Sequence, residues 1–161
     1  MNILANDGIS QEGVEKLTAA GFNTILESVK QENIINFINE NNIEVLLVRS
    51  STKVRKELID KCKSIKIIGR GGVGMDNIDV SYAKEKGIHV INTPAASSIS
   101  VAELVFAHLF SCVRSLHISN REMPLDGDKE FKKLKKNYAG GLELKGKTLS
   151  LIHISEPTRH E

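Results

Sequence analysis

Residues 65 to 79 read Ile65-Lys-Ile-Ile-Gly-Arg-Gly-Gly-Val-Gly-Met-Asp-Asn-Ile-Asp79. Ile65, Ile67 and Ile68 begin a buried strand, and Asp79 N-caps a helix that runs to Lys86 and closes at Gly87. Between them stand four glycines in six residues, 69 to 74. They let the backbone turn sharply and approach a ligand closely. Strand, tight turn and helix make half of a βαβ unit, and the rest of the chain is read outward from it.

Toward the N-terminus the same alternation repeats. Ile3 to Ala5, Thr24 to Leu26 and Val45 to Val48 are short apolar strand candidates. Val45 to Val48 is apolar throughout, as a parallel strand covered on both faces should be. Helices are expected from an N-cap at Ser10 to a C′ glycine at Gly21, over Gln31 to Asn41, and over Val54 to Cys62. Val14, Leu17 and Ala20 give the first an apolar stripe. His89 to Ile91 is a fifth strand. A βαβαβαβαβ order with short connections predicts a parallel α/β sheet, Rossmann-like or flavodoxin-like, with ligands beyond the carboxyl ends of its strands.

The pattern changes after Pro94. Ser100-Val-Ala-Glu103 reads as a capping box, which accounts for Glu103 without any chemical role. A long apolar helix is expected from there to about Arg121, buried in a domain or subunit interface. Glu103 and His108 are five apart and share no helix face, so they make no acid–base pair; a buried or interface histidine is expected. Lys129 to Lys136 reads as a solvated basic stretch, broken by Gly140-Gly141, and Gly146 to Leu149 reads as the entry to a new strand.

Composition bounds the function. The chain has 161 residues, 40% apolar and 26% charged, with a net charge of +2. That is ordinary for a globular protein and gives no global electrostatic case for nucleic acid. Without Trp, and with 4% aromatics, base stacking is not expected. Cys62 and Cys112 suit two reduced thiols and neither a disulfide framework nor a metal site. The start has no signal-peptide pattern and no run approaches a membrane span, so a cytoplasmic protein without membrane contact is expected.

Two stretches could carry chemistry. Bare amides in the 72–74 turn can take a carboxylate or phosphate, although a tight strand-to-helix turn would read the same way. The spacing is not that of a dinucleotide loop, since no third glycine follows at the needed offset. Val48-Arg-Ser-Ser-Thr52 ends the third strand on the same rim, where Arg49 offers a forked donor for an anion, or a surface ion pair. Asn92-Thr-Pro94 ends the fifth strand and reads as a stiff joint.

Arg49-Ser50, Gly72 to Asp79, Asn92-Thr93-Pro94 and Val101-Ala102-Glu103 occur in the order and spacing of the D-isomer-specific 2-hydroxyacid dehydrogenases, and the chain resembles that family from Met1 to about Leu149. The Arg49-Ser-Ser-Thr-Lys53 run is most like the branch acting on 3-phosphoglycerate, which implies its conversion to 3-phosphohydroxypyruvate in serine biosynthesis. The resemblance implies a flavodoxin-like substrate domain over 1–97, then the start of a Rossmann nucleotide-binding domain over 98–149. It implies that Arg49 and Ser50 hold the anionic end of a small 2-hydroxy acid, with the amides of Gly72, Val73 and Gly74 on its carboxylate. Val73 and Val101 would lie near NAD, Asn92 to Pro94 would be the interdomain hinge, and the 100–118 helix would form a homodimer interface.

The sequence departs from the family pattern after Leu149. No glycine follows Gly146, so the G-x-G-x-x-G loop is missing, as are the family's downstream catalytic Arg, Glu and His. Leu151-Ile-His-Ile-Ser-Glu-Pro-Thr-Arg159 resembles translated sequencing-adapter read-through. Residues 150–161 are therefore expected to be a spurious tail, and His153 and His160 to have no role. The chain is expected to be an inactive front fragment of a dehydrogenase. The alternative is a non-catalytic flavodoxin-like module that binds an anionic metabolite through Arg49 and the 72–74 loop. A corepressor relative of the family would need a peptide groove, which nothing in the sequence suggests.

Overall fold

The computed structural model describes residues 1–151. From Ile152 on, the tail expected at 150–161 lies outside the described residues. Five strands follow the apolar runs: β1 (Asn2–Ala5), β2 (Asn23–Ile25), β3 (Val45–Val48), β4 (Ile67–Arg70) and β5 (His89–Asn92). Between them run α1 (Gln11–Ala19), α2 (Ile34–Glu40), α3 (Lys56–Lys61) and α4 (Val80–Glu85). Every pairing is parallel and the order is β2-β1-β3-β4-β5. That is the flavodoxin-like order, so the expected parallel α/β class holds.

Register explains the core. Leu4, Leu46 and Ile68 sit side by side on β1, β3 and β4, and none is exposed. They pack with Ile34 and Ile38 of α2, Leu58 and Ile59 of α3, and Ala83 of α4 in one cluster. Each such side chain contributes roughly 1.5–3 kcal/mol when fully buried. The next residues along, Leu47, Gly69 and Ile91, are also in register but point to the other face. A Cβ at Gly69 would lie 2.8 Å from Leu47 Cδ2 and 3.6 Å from Ile91 Cγ1, so any larger residue there would have to displace the end of the Leu47 side chain.

Helix ends fall partly as expected. Ser10 caps α1, its hydroxyl accepting the Gly13 amide at 3.2 Å, and Gly21 adopts a φ of 81°. The α1 stripe is shallower than its sequence implies: Val14 and Leu17 are half-buried and Ala20 is exposed. Asp79 corrects another reading, because its side chain does not cap α4. Its carboxylate instead accepts the Lys56 amide at 2.9 Å and Arg55 Nη1 at 3.0 Å. It therefore satisfies the open amide end of α3, a need as pressing as that of α4.

The chain divides into two compact units, Met1–Ile99 and Ser100–Glu161. α5 (Ser98–Val113), apart from its first two residues, and α6 (Leu116–Tyr138) lie in the second. Two expectations fail here. Ser100 is the third residue of α5, not its N-cap. The single helix expected to reach Arg121 breaks after Val113, with Ser115 left-handed at a φ of 51° and a 56° bend between α5 and α6. Residues distant in sequence pack at the break. The Val113 carbonyl accepts the Leu142 amide at 2.9 Å, and a Cβ at Gly141 would lie 3.3 Å from that carbonyl oxygen and 3.1 Å from Arg114 Nε. α6 then carries Pro124 inside it and a non-helical Glu130, and the basic stretch lies on it, exposed except at Leu134. Gly146 to Leu149 forms a turn and coil; no strand forms there. No single helix among the described residues is long and apolar enough to cross a membrane. α5, expected at a domain or subunit interface, has no residue buried within the chain itself, and His108, expected to be buried or at an interface, is exposed there.

Candidate functional site

Four strands deliver their carboxyl ends to one crevice of about 750 Å³. Asp7, Gly8 and Ser10 follow β1, Arg49 follows β3, Arg70 and Gly71 end β4, and Asn92 and Thr93 close β5. Leu47, Gly69 and Ile91 line its apolar side. A cleft with an apolar wall and a few convergent polar groups suits a small ligand.

Arg49 is exposed and borders this crevice. Ser50, expected beside it on the substrate, is exposed and is not part of the lining. Arg70 was not among the expected site residues. Arg70 pairs with Val48 across β3 and β4, so it ends its strand one residue from where Arg49 follows the neighbouring one. Its side chain is 15% exposed, and its Nε is buried without a hydrogen-bond partner among the described residues. The nearest carboxylate, Asp76, is 89% exposed and stands 3.9 Å away, too far and too wet to neutralise it. A mostly buried guanidinium with an unpartnered donor is a group whose chemistry suits an anion. Its position at a strand's carboxyl end was the available signal.

The glycine turn is only partly free. Gly71 N–H donates to the Val48 carbonyl at 2.9 Å and Gly72 N–H to the Arg70 carbonyl at 3.0 Å. The Gly72 amide, expected on the substrate carboxylate, is therefore committed. The Val73 and Gly74 amides donate to no protein acceptor among the described residues. The joint residues bear directly on this turn: Asn92 Nδ2 donates to the Val73 carbonyl at 2.7 Å and Thr93 N–H to the Gly72 carbonyl at 3.1 Å. Pro94 is exposed. Val73 is 52% exposed in the first unit, and Val101, 54% exposed, lies on α5 in the second.

Behind the rim lies a polar network that sequence reasoning missed. The Asp7 carboxylate accepts the amides of Arg49 and Thr52 at 2.7 and 3.1 Å and the Thr52 hydroxyl at 2.6 Å. Burial pushes the Asp7 carboxyl up, but the Thr52 hydroxyl and the amides of Arg49, Thr52 and Ser51 outweigh it and leave it below its ordinary value. Buried Asn77 donates to the carbonyls of Arg49 and Thr52 at 2.9 and 2.7 Å.

Residues 3–148 match the family described as D-isomer specific 2-hydroxyacid dehydrogenase, catalytic domain. The chain is 43% identical over 148 residues to a hydroxypyruvate reductase of Thermotoga maritima, covering 91% of this chain and 46% of that one. It is 38% identical to a D-3-phosphoglycerate dehydrogenase of Methanocaldococcus jannaschii, covering 96% of this chain and 28% of that one. Among solved structures it resembles an NAD+-bound 3-phosphoglycerate dehydrogenase of Entamoeba histolytica, with a TM-score of 0.59 at 31% identity over 71% of this chain and 39% of that one. The chain thus spans less than half the length of these relatives.

Proposed function

The chain belongs to the D-isomer-specific 2-hydroxyacid dehydrogenase family, and from that premise we propose that its crevice recognises the acidic groups of a phosphorylated 2-hydroxy acid, 3-phosphoglycerate. The observation that carries this is the pair of guanidinium groups, Arg49 and Arg70, at neighbouring strand ends over one crevice. A planar fork suits phosphate and carboxylate alike, and two forks suit an acid with two anionic ends. The free amides of Val73 and Gly74 supply donors for the carboxylate.

The reaction we assign to the whole protein is oxidation of the substrate hydroxyl at C2 to a carbonyl, giving 3-phosphohydroxypyruvate, as a cytoplasmic step of serine synthesis. NAD is the hydride acceptor that this chemistry calls for. The part of the reaction that the crevice residues support in this chain is recognition of the acid. A second copy covering the exposed apolar residues of α5 completes the reading.

The likeness to a hydroxypyruvate reductase favours a second substrate, an acid without phosphate such as D-glycerate. Calorimetric titration of the chain with 3-phosphoglycerate and with D-glycerate, at one fixed ionic strength, separates the two. Phosphoglycerate is expected to bind at least about tenfold tighter, and Arg49→Ala or Arg70→Ala to remove most of that margin, since a charge-assisted hydrogen bond contributes roughly 1.5–3 kcal/mol. Equal affinities, unchanged in both variants, would favour D-glycerate and remove the phosphate from the reading.

A further inference from the structure

We propose that Asp7 and Asn77 are positioning residues that clamp Arg49 from both sides of its backbone and so hold its guanidinium at the crevice. The inference rests on the assignment of Arg49 to anion binding.

Residues 49 to 53 belong to no helix or strand, so their peptide groups need other partners. Arg49 finds both in side chains far away in sequence. Its N–H donates to Asp7 Oδ2 at 2.7 Å, and its carbonyl accepts Asn77 Nδ2 at 2.9 Å. Thr52, at the other end of the turn, is held in the same way by the same two residues. Asn6 Nδ2 adds a bond to the Thr52 hydroxyl at 2.8 Å and ties the turn to the loop at Val29. Thr52, Asn77 and Asn6 are each buried, at 3, 5 and 5% exposure, so solvent cannot substitute for these bonds cheaply.

The Arg49 side chain is treated in the opposite manner. It enters no ion pair among the described residues. Its Cγ lies 3.5 Å from where a Gly71 Cβ would stand, an ordinary van der Waals distance, so the glycine turn runs alongside it. The nearby Asp7 carboxylate offers its lone pairs to amides and a hydroxyl instead of to the guanidinium. The clamp therefore fixes where Arg49 starts while leaving its charge for a ligand. A long side chain anchored at a fixed backbone loses less freedom on binding than one on a mobile turn.

A clamp of this kind must be separable from simple loop stability, and a double-mutant cycle does that. The full chain is titrated with 3-phosphoglycerate, and amide hydrogen exchange is read by NMR without ligand. Asp7→Ala and Asn77→Ala are each expected to raise Kd about tenfold, the scale of one charge-assisted hydrogen bond. In the Arg49→Ala background the same changes are expected to alter Kd by less than about twofold, the margin within which independent sites add. Asp7→Asn keeps an acceptor oxygen for the Arg49 amide and is expected to stay within about threefold of the parent chain, a neutral hydrogen bond's worth. It also keeps the test alive if Asp7→Ala does not fold. Additive losses with Arg49→Ala would overturn the proposal, and so would full Arg49 amide protection in Asp7→Ala. If the parent chain does not bind 3-phosphoglycerate, the reading of Arg49 as an anion site fails separately. The exchange data then decide the clamp: lost protection at residues 49 and 52 supports it, and unchanged protection overturns it.

Discussion

The Asn92 carboxamide donates to the Val73 carbonyl at 2.7 Å, which ties the end of β5 to the middle of the glycine turn 19 residues earlier. A second bond, from the Thr93 amide to the Gly72 carbonyl at 3.1 Å, runs beside it. The residues read as a joint are thus also the props of the turn that presents the Val73 and Gly74 amides. Asn92→Ala should cost about 1 kcal/mol in urea unfolding, one neutral hydrogen bond. It should also speed amide exchange at residues 73 and 74 while leaving β3 protected. Unchanged exchange at 73 and 74 would mean that the turn holds itself.

The two cysteines should react very differently. Cys62 is 1% exposed, and burial pushes its thiol up to about 11. Cys112 is exposed on α5. Iodoacetamide at pH 7.5, read by mass spectrometry, should modify Cys112 and spare Cys62 until the fold is opened with urea. Equal labelling in the native chain would show that the α2–α3 core is not closed.

Acid should weaken the first unit through Asp79. The Arg55 hydrogen bond first, then the Lys56 amide and nearby positive charge, outweigh burial and hold its carboxyl below the ordinary 3.8. Its ionised form is favoured in the folded chain, so its contribution is complete above the ordinary carboxylate value. It is lost as pH falls through the lower folded value. Melting temperature should fall more steeply with acid below about pH 4 in the parent chain than in Asp79→Asn, since the unfolded carboxylate titrates near there. Parallel acid limbs would remove Asp79 from the account of α3.

α5 presents Ile99, Val101, Leu104, Phe106 and Phe110, each at least 48% exposed. Apolar surface gathered on one helix in this way calls for a partner. Light scattering should give twice the chain mass, and Leu104→Asp should shift the population toward the monomer. A monomeric parent chain that binds no hydrophobic dye would contradict the second-copy reading.

Much of the first unit was legible because its signals are local. Val45 to Val48 announces a doubly covered strand by composition, Ser10 and Gly21 bracket α1 by their own chemistry, and the glycines after Ile68 mark the turn. The features that misled depend on partners far along the chain. Asp79 has the sequence position of an N-cap for α4, yet the α3 amide end lies within its reach, and only folding brings the two together. The apolar run from Val101 to Leu116 continues across the break at Ser115 without a local signal, and the residues that pack there, Gly141 and Leu142, are distant in sequence.

The site divides in the same way. Arg49 and the glycine turn stand at strand ends that can be counted from the sequence. Arg70 stands in the same glycine-rich stretch, but it becomes a candidate only through its Nε, buried and unpaired beside β3. Asp7 and Asn77 reach Arg49 across 42 and 28 residues, separations at which no periodicity gives warning.

The most direct test is a ¹H–¹⁵N NMR titration of the chain with 3-phosphoglycerate, with the arginine side-chain resonances included. The expected result is saturable shifts at the Val73 and Gly74 amides and at the Arg49 and Arg70 side chains, absent in the Arg49→Ala, Arg70→Ala double variant. Shifts confined to the exposed lysines between Lys129 and Lys136, or none at the crevice, would contradict the account.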